Sequence, residues 1–448
     1  MKRRIPYIKK DILHGKIAEQ LILLVFPLFV GYLLQMLYGF VDSMILGRLI
    51  GKEALAAVGG SANSMINIIL NCVSGIAAAI TVLVAQSYGR GNMEKVNRAV
   101  RTGLFVSIVL GIVLAILMIV ASPGWLRIMK NPEETFRLSL IYMYLYFASL
   151  PFYFVYQTGI SVLRALGDSK RPLLFILLTA VCKIVFDLLL AGTFRLGVTG
   201  TSIATFLSHL ICALAIVFVF EKTSDVYQVS FRELRCNKED LLQIVKIGLP
   251  FAIQNMMFAI PNAMLQYRIN LFGTEAVAAY SAFSSVDGLF WCYSNSIGTA
   301  TITIASQNFG SRNMERVRKT NVISALFEMV GAILFGGILL GMGKELLMLF
   351  LKEEGPLMIA ERMIRVIAFS YVTNTLVEPM AAVFKSCGMV RAPMIIALFT
   401  VCISRILYVS FFPIDTPVLV LFAFPLSWIL TSIVYIFYYL SKRKVFYS

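Results

Sequence analysis

Along this chain, apolar runs of about the 20 residues that a helix needs to cross a bilayer follow one another with only short polar breaks. Twelve can be drawn, at 18–47, 53–86, 95–121, 136–162, 172–194, 198–220, 241–267, 275–307, 317–342, 358–384, 392–412 and 416–440. The pattern predicts an all-α integral membrane protein of about twelve transmembrane helices.

Composition supports this picture. Of the 448 residues, 59% are hydrophobic and 14% charged, where a soluble domain carries about 25% charged residues. The net charge of +16 would suit nucleic acid if the bases formed one patch, but they are spread along the chain. With the amino terminus inside, the segments at 2–16, 90–101, 164–171, 222–246, 312–319, 385–391 and 442–444 hold about 27 Lys and Arg, against about 11 on the other side. Both termini are therefore expected in the cytoplasm of a bacterial or archaeal cell, with the chain in its plasma membrane and no nucleic-acid partner. No signal peptide with a small-residue cleavage site is evident, so the first span is expected to stay in the membrane. The seven cysteines fall mostly within spans without paired spacing, as apolar packing residues would.

The chain also repeats itself. "AQSYGRGNMEKV" at 85–96 returns as "SQNFGSRNMERV" at 306–317, "LRALGDSKRP" at 163–172 as "FKSCGMVRAP" at 384–393, and "IGKEALAA" at 50–57 as "FGTEAVAA" at 272–279. Two halves of six spans follow, 1–220 and 241–448, joined by a charged cytoplasmic linker at 221–240. With six spans each, the halves form two six-helix bundles related by a pseudo-two-fold axis along the membrane normal, an arrangement of transporters with a cavity between repeats. In the repeated loops, Gly is expected to make a turn and Asn-x-Glu to cap the next helix.

Ionisable groups deep in a bilayer are costly and must be paired, neutralised or wet. In the first half they are Asp42, Lys183 and Asp187, with Gln35, Tyr38, Thr205, Ser208 and His209 as weaker polar neighbours; His14 is expected in solvent. In the second half they are Asp287, Glu328, Glu378 and Arg405. Asp42 aligns with Met264 or Leu265 and Asp187 with Tyr408, so the first-half acids are not scaffold that both repeats need. Gln35, Tyr38 and Asp42 share a face of span 1, and Pro27 gives that helix a bending point below its acid. Lys183 and Asp187 are one turn apart: a pair within their helix would leave Asp42 as the better proton carrier, whereas Asp42 lying close to Asp187 would make the two acids and Lys183 titrate as one coupled unit. Arg405 is expected to pair with Glu378 or Asp287, the alternative being a substrate or ion contact.

On "FPLFVGYLLQMLYGFVDSMILGRLIGKEALAAVG" (26–59), "AQSYGRGNMEKV" and "LRALGDSKRP", the chain resembles the MATE family of multidrug and toxic compound extrusion transporters over nearly its whole length. The resemblance implies two six-helix bundles around a cavity open alternately to either side. It also implies export of organic, often cationic and amphipathic compounds against inward protons or sodium. In the DinF-like branch the first-bundle site uses a span 1 Pro, a Tyr, an Asp four residues later and a span 5 Asn-x-x-x-Asp. Pro27, Tyr38, Asp42 and Asp187 match it, Thr205 answers to a span 6 hydroxyl, and Lys183 stands where Asn is expected. A fixed cation there would disfavour sodium and cationic drugs, attract anionic substrates, or serve as an exchangeable counter-ion. The NorM-like sodium site needs acids in spans 7 and 10; "GLPFAIQNMMFAIPNAML" has none, and Asn374 takes the span 10 position.

Protons are thus the expected coupling ion, small organic molecules the substrates and a monomer the working unit, with no cofactor. A lipid-linked saccharide flippase of the same superfamily is the alternative. A membrane enzyme is disfavoured, because His14 and His209 make no metal cluster and no nucleophile–base pair stands out.

Overall fold

The computed structural model describes residues 12–47, 51–223, 225–230, 234–442 and 446. Of the basic residues that set the expected orientation, Lys2, Arg3, Arg4, Lys9, Lys10, Arg232, Arg443 and Lys444 lie outside them.

The described chain is helical. Its elements are α1 (Ile17–Ile45), α2 (Lys52–Gly59), α3 (Ser61–Gly89), α4 (Met93–Ile128), α5 (Glu133–Ala148), α6 (Leu150–Ala165), α7 (Lys170–Phe186), α8 (Gly197–Lys222) and α9 (Lys238–Met257). They continue as α10 (Ala259–Asn270), α11 (Thr274–Gly310), α12 (Met314–Met348), α13 (Glu354–Asn374), α14 (Val377–Ser386), α15 (Arg391–Ala397), α16 (Ser404–Phe411) and α17 (Ala423–Ser441). Each of the twelve expected spans falls on one or two of these helices. Ten stretches among the described residues are long and apolar enough to cross a membrane, and α5 with α6 make an eleventh, bent by 48°. The bend falls at Ser149, whose hydroxyl turns back to the Tyr146 carbonyl at 2.6 Å, and Pro151 beyond it has no amide to continue the ladder. The remaining expected span is α11, 37 residues long, with Ser, Thr and Asn at many positions along it.

α4 shows how these helices are sided. It buries Ser107, Gly111 and Ala115 and exposes Ile112, Ile116, Leu117 and Val120. Small residues let backbones approach while long aliphatic ones meet lipid.

Two compact units emerge, Val30–Ala252 and Ile253–Ser448, the latter joined by the chain up to Phe29. These divisions fall inside helices, not in the 221–240 linker. The reason is packing: Leu21, Leu24, Val25 and Leu28 of α1 are buried with Ile297, Ala300 and Ile304 of α11. Likewise Ile244 of α9 joins the core of the unit that ends at Ala252. The linker is tied to the start of α4. The Asn97 amide donates to the carbonyls of Val226 and Gln228, at 3.2 and 2.6 Å, and Arg98 pairs with buried Asp240 at 2.8 Å.

The three repeated loops share their backbone as well as their letters. Gly51 and Gly273, and Gly167 and Gly388, all hold positive φ. In the third pair the shared glycines, Gly89 and Gly310, end helices; the left-handed residues are Gly91 (φ 73°) and Arg312 (φ 62°). A glycine thus makes the turn in the first copy, as expected, while in the second the left-handed position falls to Arg312. Asn92 and Asn313 cap as expected, accepting from the Lys95 and Arg316 amides at 2.9 and 3.1 Å.

Gly75 marks the tightest backbone approach in the first unit. A Cβ there would lie 2.4 Å from the Ala252 nitrogen, so Gly75→Ala is expected to force backbone apart and cost about 1–3 kcal/mol. Thermal unfolding of purified protein in detergent measures the loss, and an unchanged melting temperature would contradict the close contact.

Candidate ion-coupling site

Helix α7 ends at Phe186 and passes into a π-helical turn, Asp187–Thr193. Such turns interrupt the regular ladder and recur at functional sites. Here the turn begins on an acid. Lys183, one turn earlier, reaches Asp187 on its own helix, as its spacing predicts. It also reaches across to α1, where its ammonium donates to Asp42 Oδ1 at 2.6 Å. One ammonium therefore joins both carboxylates.

The three groups differ in access. The side chain of Asp187 is 1% exposed, that of Lys183 7% and that of Asp42 19%. Asp187 Oδ1 has no hydrogen-bond partner among the described residues. Counted as ionised, the cluster carries one net negative charge. Asp42 is its open end, the carboxylate that a proton can reach with least rearrangement.

Tyr38, one turn before Asp42, lies within electrostatic range of all three charged groups, and Gln35 on the same helix is half-buried. Pro27 sits inside α1, which runs as a single helix past it. Thr205 and Ser208 are buried on α8, but their hydroxyls are spent on their own helix, donating to the Thr201 and Ala204 carbonyls at 3.0 and 2.7 Å. His209, beside them, is a hydrogen-bonded packing group. Its Nδ1 is 2.9 Å from Ser149 Oγ and its ring meets Tyr146 and Tyr153 at 6.0 and 5.0 Å.

Sequence reasoning missed the phenols of α5 and α6. Tyr142 and Tyr146 lie within electrostatic range of Asp42 and Tyr38, and Tyr153 of Tyr38. Their spacing was a usable signal: 142 and 146, then 153 and 156, put pairs of phenols on one helix face.

The second-half charges do not assemble as expected. Asp287 accepts from Tyr371 Oη at 2.6 Å and from Trp291 Nε1 at 2.9 Å, so both its oxygens are occupied. Arg405 pairs with neither Asp287 nor Glu378, which corrects the expected salt bridge. It turns instead to α10 and α17, donating to Ser427 Oγ at 2.9 Å and Asn262 Oδ1 at 3.2 Å, with its guanidinium 4.3 Å from the Phe424 ring centroid. A buried cation can be held by a fork of neutral acceptors and an aromatic face. Glu378 lies on α14 against Gly298 of α11, and Glu328 is fully buried on α12. Asn374 is buried, and its amide nitrogen has no partner among the described residues. All seven cysteines are free thiols.

Long apolar helices, a chain built twice over, and an ionisable cluster buried within the spans define a polytopic membrane transporter rather than an enzyme. The MatE family model matches residues 27–189 and 247–409, once in each half, and the chain belongs to this family. Among its relatives is the probable multidrug resistance protein YoeA of Bacillus subtilis (strain 168), 27% identical over 386 residues that cover 84% of this chain and 82% of the relative. Among solved structures, an outward-facing multidrug resistance MATE family transporter of the MOP superfamily superimposes with a TM-score of 0.91 at 20% identity, covering 98% of each chain. A MOP superfamily transporter from Pyrococcus furiosus Vc1 (DSM3638) gives 0.90 at 21% identity, again over 98% of each chain.

Proposed function

We propose that this protein exports organic compounds across the cell membrane by proton antiport, with Asp42 as the coupling group, and that it works as a monomer with both termini in the cytoplasm. The relatives' description as multidrug resistance proteins supports export of drug-like molecules. The observation that carries the coupling is the single ammonium of Lys183 held by Asp42 and Asp187 together.

The mechanism follows from charge. While Asp42 is ionised, its bond to Lys183 ties α1 to α7. A proton arriving from outside neutralises Asp42, and the ammonium withdraws to Asp187, its partner on the same helix. The link between the two helices weakens from a charge-assisted bond to a neutral one, roughly halving its strength. α1 is then free to move from its proline, and the contacts that hold substrate beside Tyr38, Gln35 and the α5 phenols are lost. Release of the proton inside restores the bridge.

Lys183 also bears on ion choice. A sodium ion would have to take carboxylate oxygens already bound to an ammonium, and would sit against that charge. Protons need no such displacement. An organic cation meets the same repulsion unless it takes the ammonium's place at Asp42, so the charge favours neutral or anionic substrates over cations that cannot make that exchange.

Substrate-driven collapse of a pH gradient in proteoliposomes tests this reading, run with sodium present and absent. Collapse at the same rate in both is the expected result. A sodium requirement, or transport with no proton movement, would overturn it.

A further inference from the structure

The unit formed by Ile253–Ser448 holds a second carboxyl group that the coupling reading leaves unused. Glu328, in the middle of α12, is fully buried, and neither of its carboxyl oxygens has a hydrogen-bond partner among the described residues. The donor nearest that carboxyl is the Ser294 hydroxyl of α11, also buried, which stands within reach of it but makes no hydrogen bond of normal geometry. Glu378 of α14 interacts with Glu328 electrostatically and lies against Gly298, where an added Cβ would come within 3.3 Å of Glu378 Oε2. Ser294 and Gly298 are four residues apart and so share one face of α11. The missing side chain at 298 is the space that the Glu378 carboxyl uses.

The remaining titratable neighbours are accounted for. Tyr293 of α11 faces Glu328, but its hydroxyl donates to the Phe327 carbonyl at 2.6 Å. Lys385 of α14 and Tyr435 of α17 face Glu378. Among the described residues no cation lies within ion-pairing distance of Glu328, and a bare carboxylate in such a place costs several kcal/mol. A proton removes that cost and creates an O–H donor that Ser294 or Glu378 can accept. Neither this pair nor any other acidic group among the described residues gathers the three ligands that a metal ion would need.

We propose that Glu328 and Glu378 form a second proton-carrying site, independent of Asp42, which takes one proton from water and returns it in each transport cycle. The step is proton transfer alone: a carboxylate becomes a carboxylic acid and reverts.

Infrared spectroscopy of the purified full-length protein tests the site directly, since a protonated carboxyl absorbs apart from a carboxylate. The parent is expected to show a protonated-carboxyl absorption that disappears as pH rises, and Glu328→Gln to lack it. Glu378→Gln should keep the absorption and move its midpoint to lower pH, because a like charge has been removed. Asp42→Asn should leave it in place, which separates this site from the first. In proteoliposomes the protons moved per substrate should fall by half in Glu328→Gln. An absorption that persists in Glu328→Gln, one that never titrates in the parent, or an unchanged proton ratio would overturn the proposal. If Glu328→Gln does not fold, an unmoved midpoint in Glu378→Gln does so by itself.

Discussion

Asp42→Asn is expected to reduce export to the level of cells or vesicles lacking the transporter, while the protein still folds. The asparagine oxygen can still accept a hydrogen bond from Lys183, and Lys183 keeps its charged partner Asp187 on the same helix. The structural cost is therefore the difference between a charge-assisted and a neutral bond, about 1 kcal/mol. The functional cost is total, because the amide neither takes up nor releases a proton and the bond between α1 and α7 no longer switches. Drug resistance of cells expressing the variant, normalised to its amount in the membrane, is the measurement. Normal resistance would remove Asp42 from the mechanism. Asp187→Asn makes the contrast: it leaves Lys183 to Asp42 alone, so the link between α1 and α7 can still switch and export should persist.

Lys183→Ala is expected to have the largest effect on stability. It leaves two carboxylates close together, with side chains 19% and 1% exposed, and no cation between them. Breaking a buried ion pair from one side costs about 3–5 kcal/mol, and the partial exposure of Asp42 places this case toward the lower figure. The sign with pH follows from the charges. At neutral pH both carboxylates repel; as pH falls, one takes a proton and the repulsion ends. The deficit in melting temperature against the parent should therefore be greatest at high pH and shrink on acidification. A deficit that does not vary with pH would show that Lys183 serves packing, not charge. Lys183→Asn should lose less, since an amide can donate to a carboxylate, and should gain a stabilisation by sodium that the parent lacks.

Much of the fold was legible because the rule that governs it is local. About 20 apolar residues must cross the bilayer as helix, whatever lies beside them, and twelve such stretches could be counted without knowing a single contact. The loops were legible for a similar reason: an Asn beside a helix start caps it, and a turn needs its left-handed residue. The exception is instructive. A glycine, Gly91, makes the turn in the first copy, but in the second the left-handed position falls to Arg312. The glycines that both copies keep, Gly89 and Gly310, are buried helix ends.

The site was legible in part. Helical spacing placed Tyr38 with Asp42 and Lys183 with Asp187, because i and i+4 meet within one helix. It could not give the bond from Lys183 to Asp42, 141 positions away, nor send Arg405 to Asn262 and Ser427 instead of to an acid. Which groups meet between helices depends on how each helix is turned, and apolar helices in lipid carry only a weak sequence record of that rotation.

By itself, then, the sequence determined that this chain lies in a membrane, that it is built from two related halves and that a few buried charges stand out from the rest. These follow from the energy of putting each residue in lipid, taken one segment at a time. Only the tertiary structure decided that one ammonium holds both first-half acids, that Glu328 has no counter-ion among the described residues, and that α1 changes units at Phe29. Those depend on distances between segments far apart in the chain, and buried electrostatics is set by such distances.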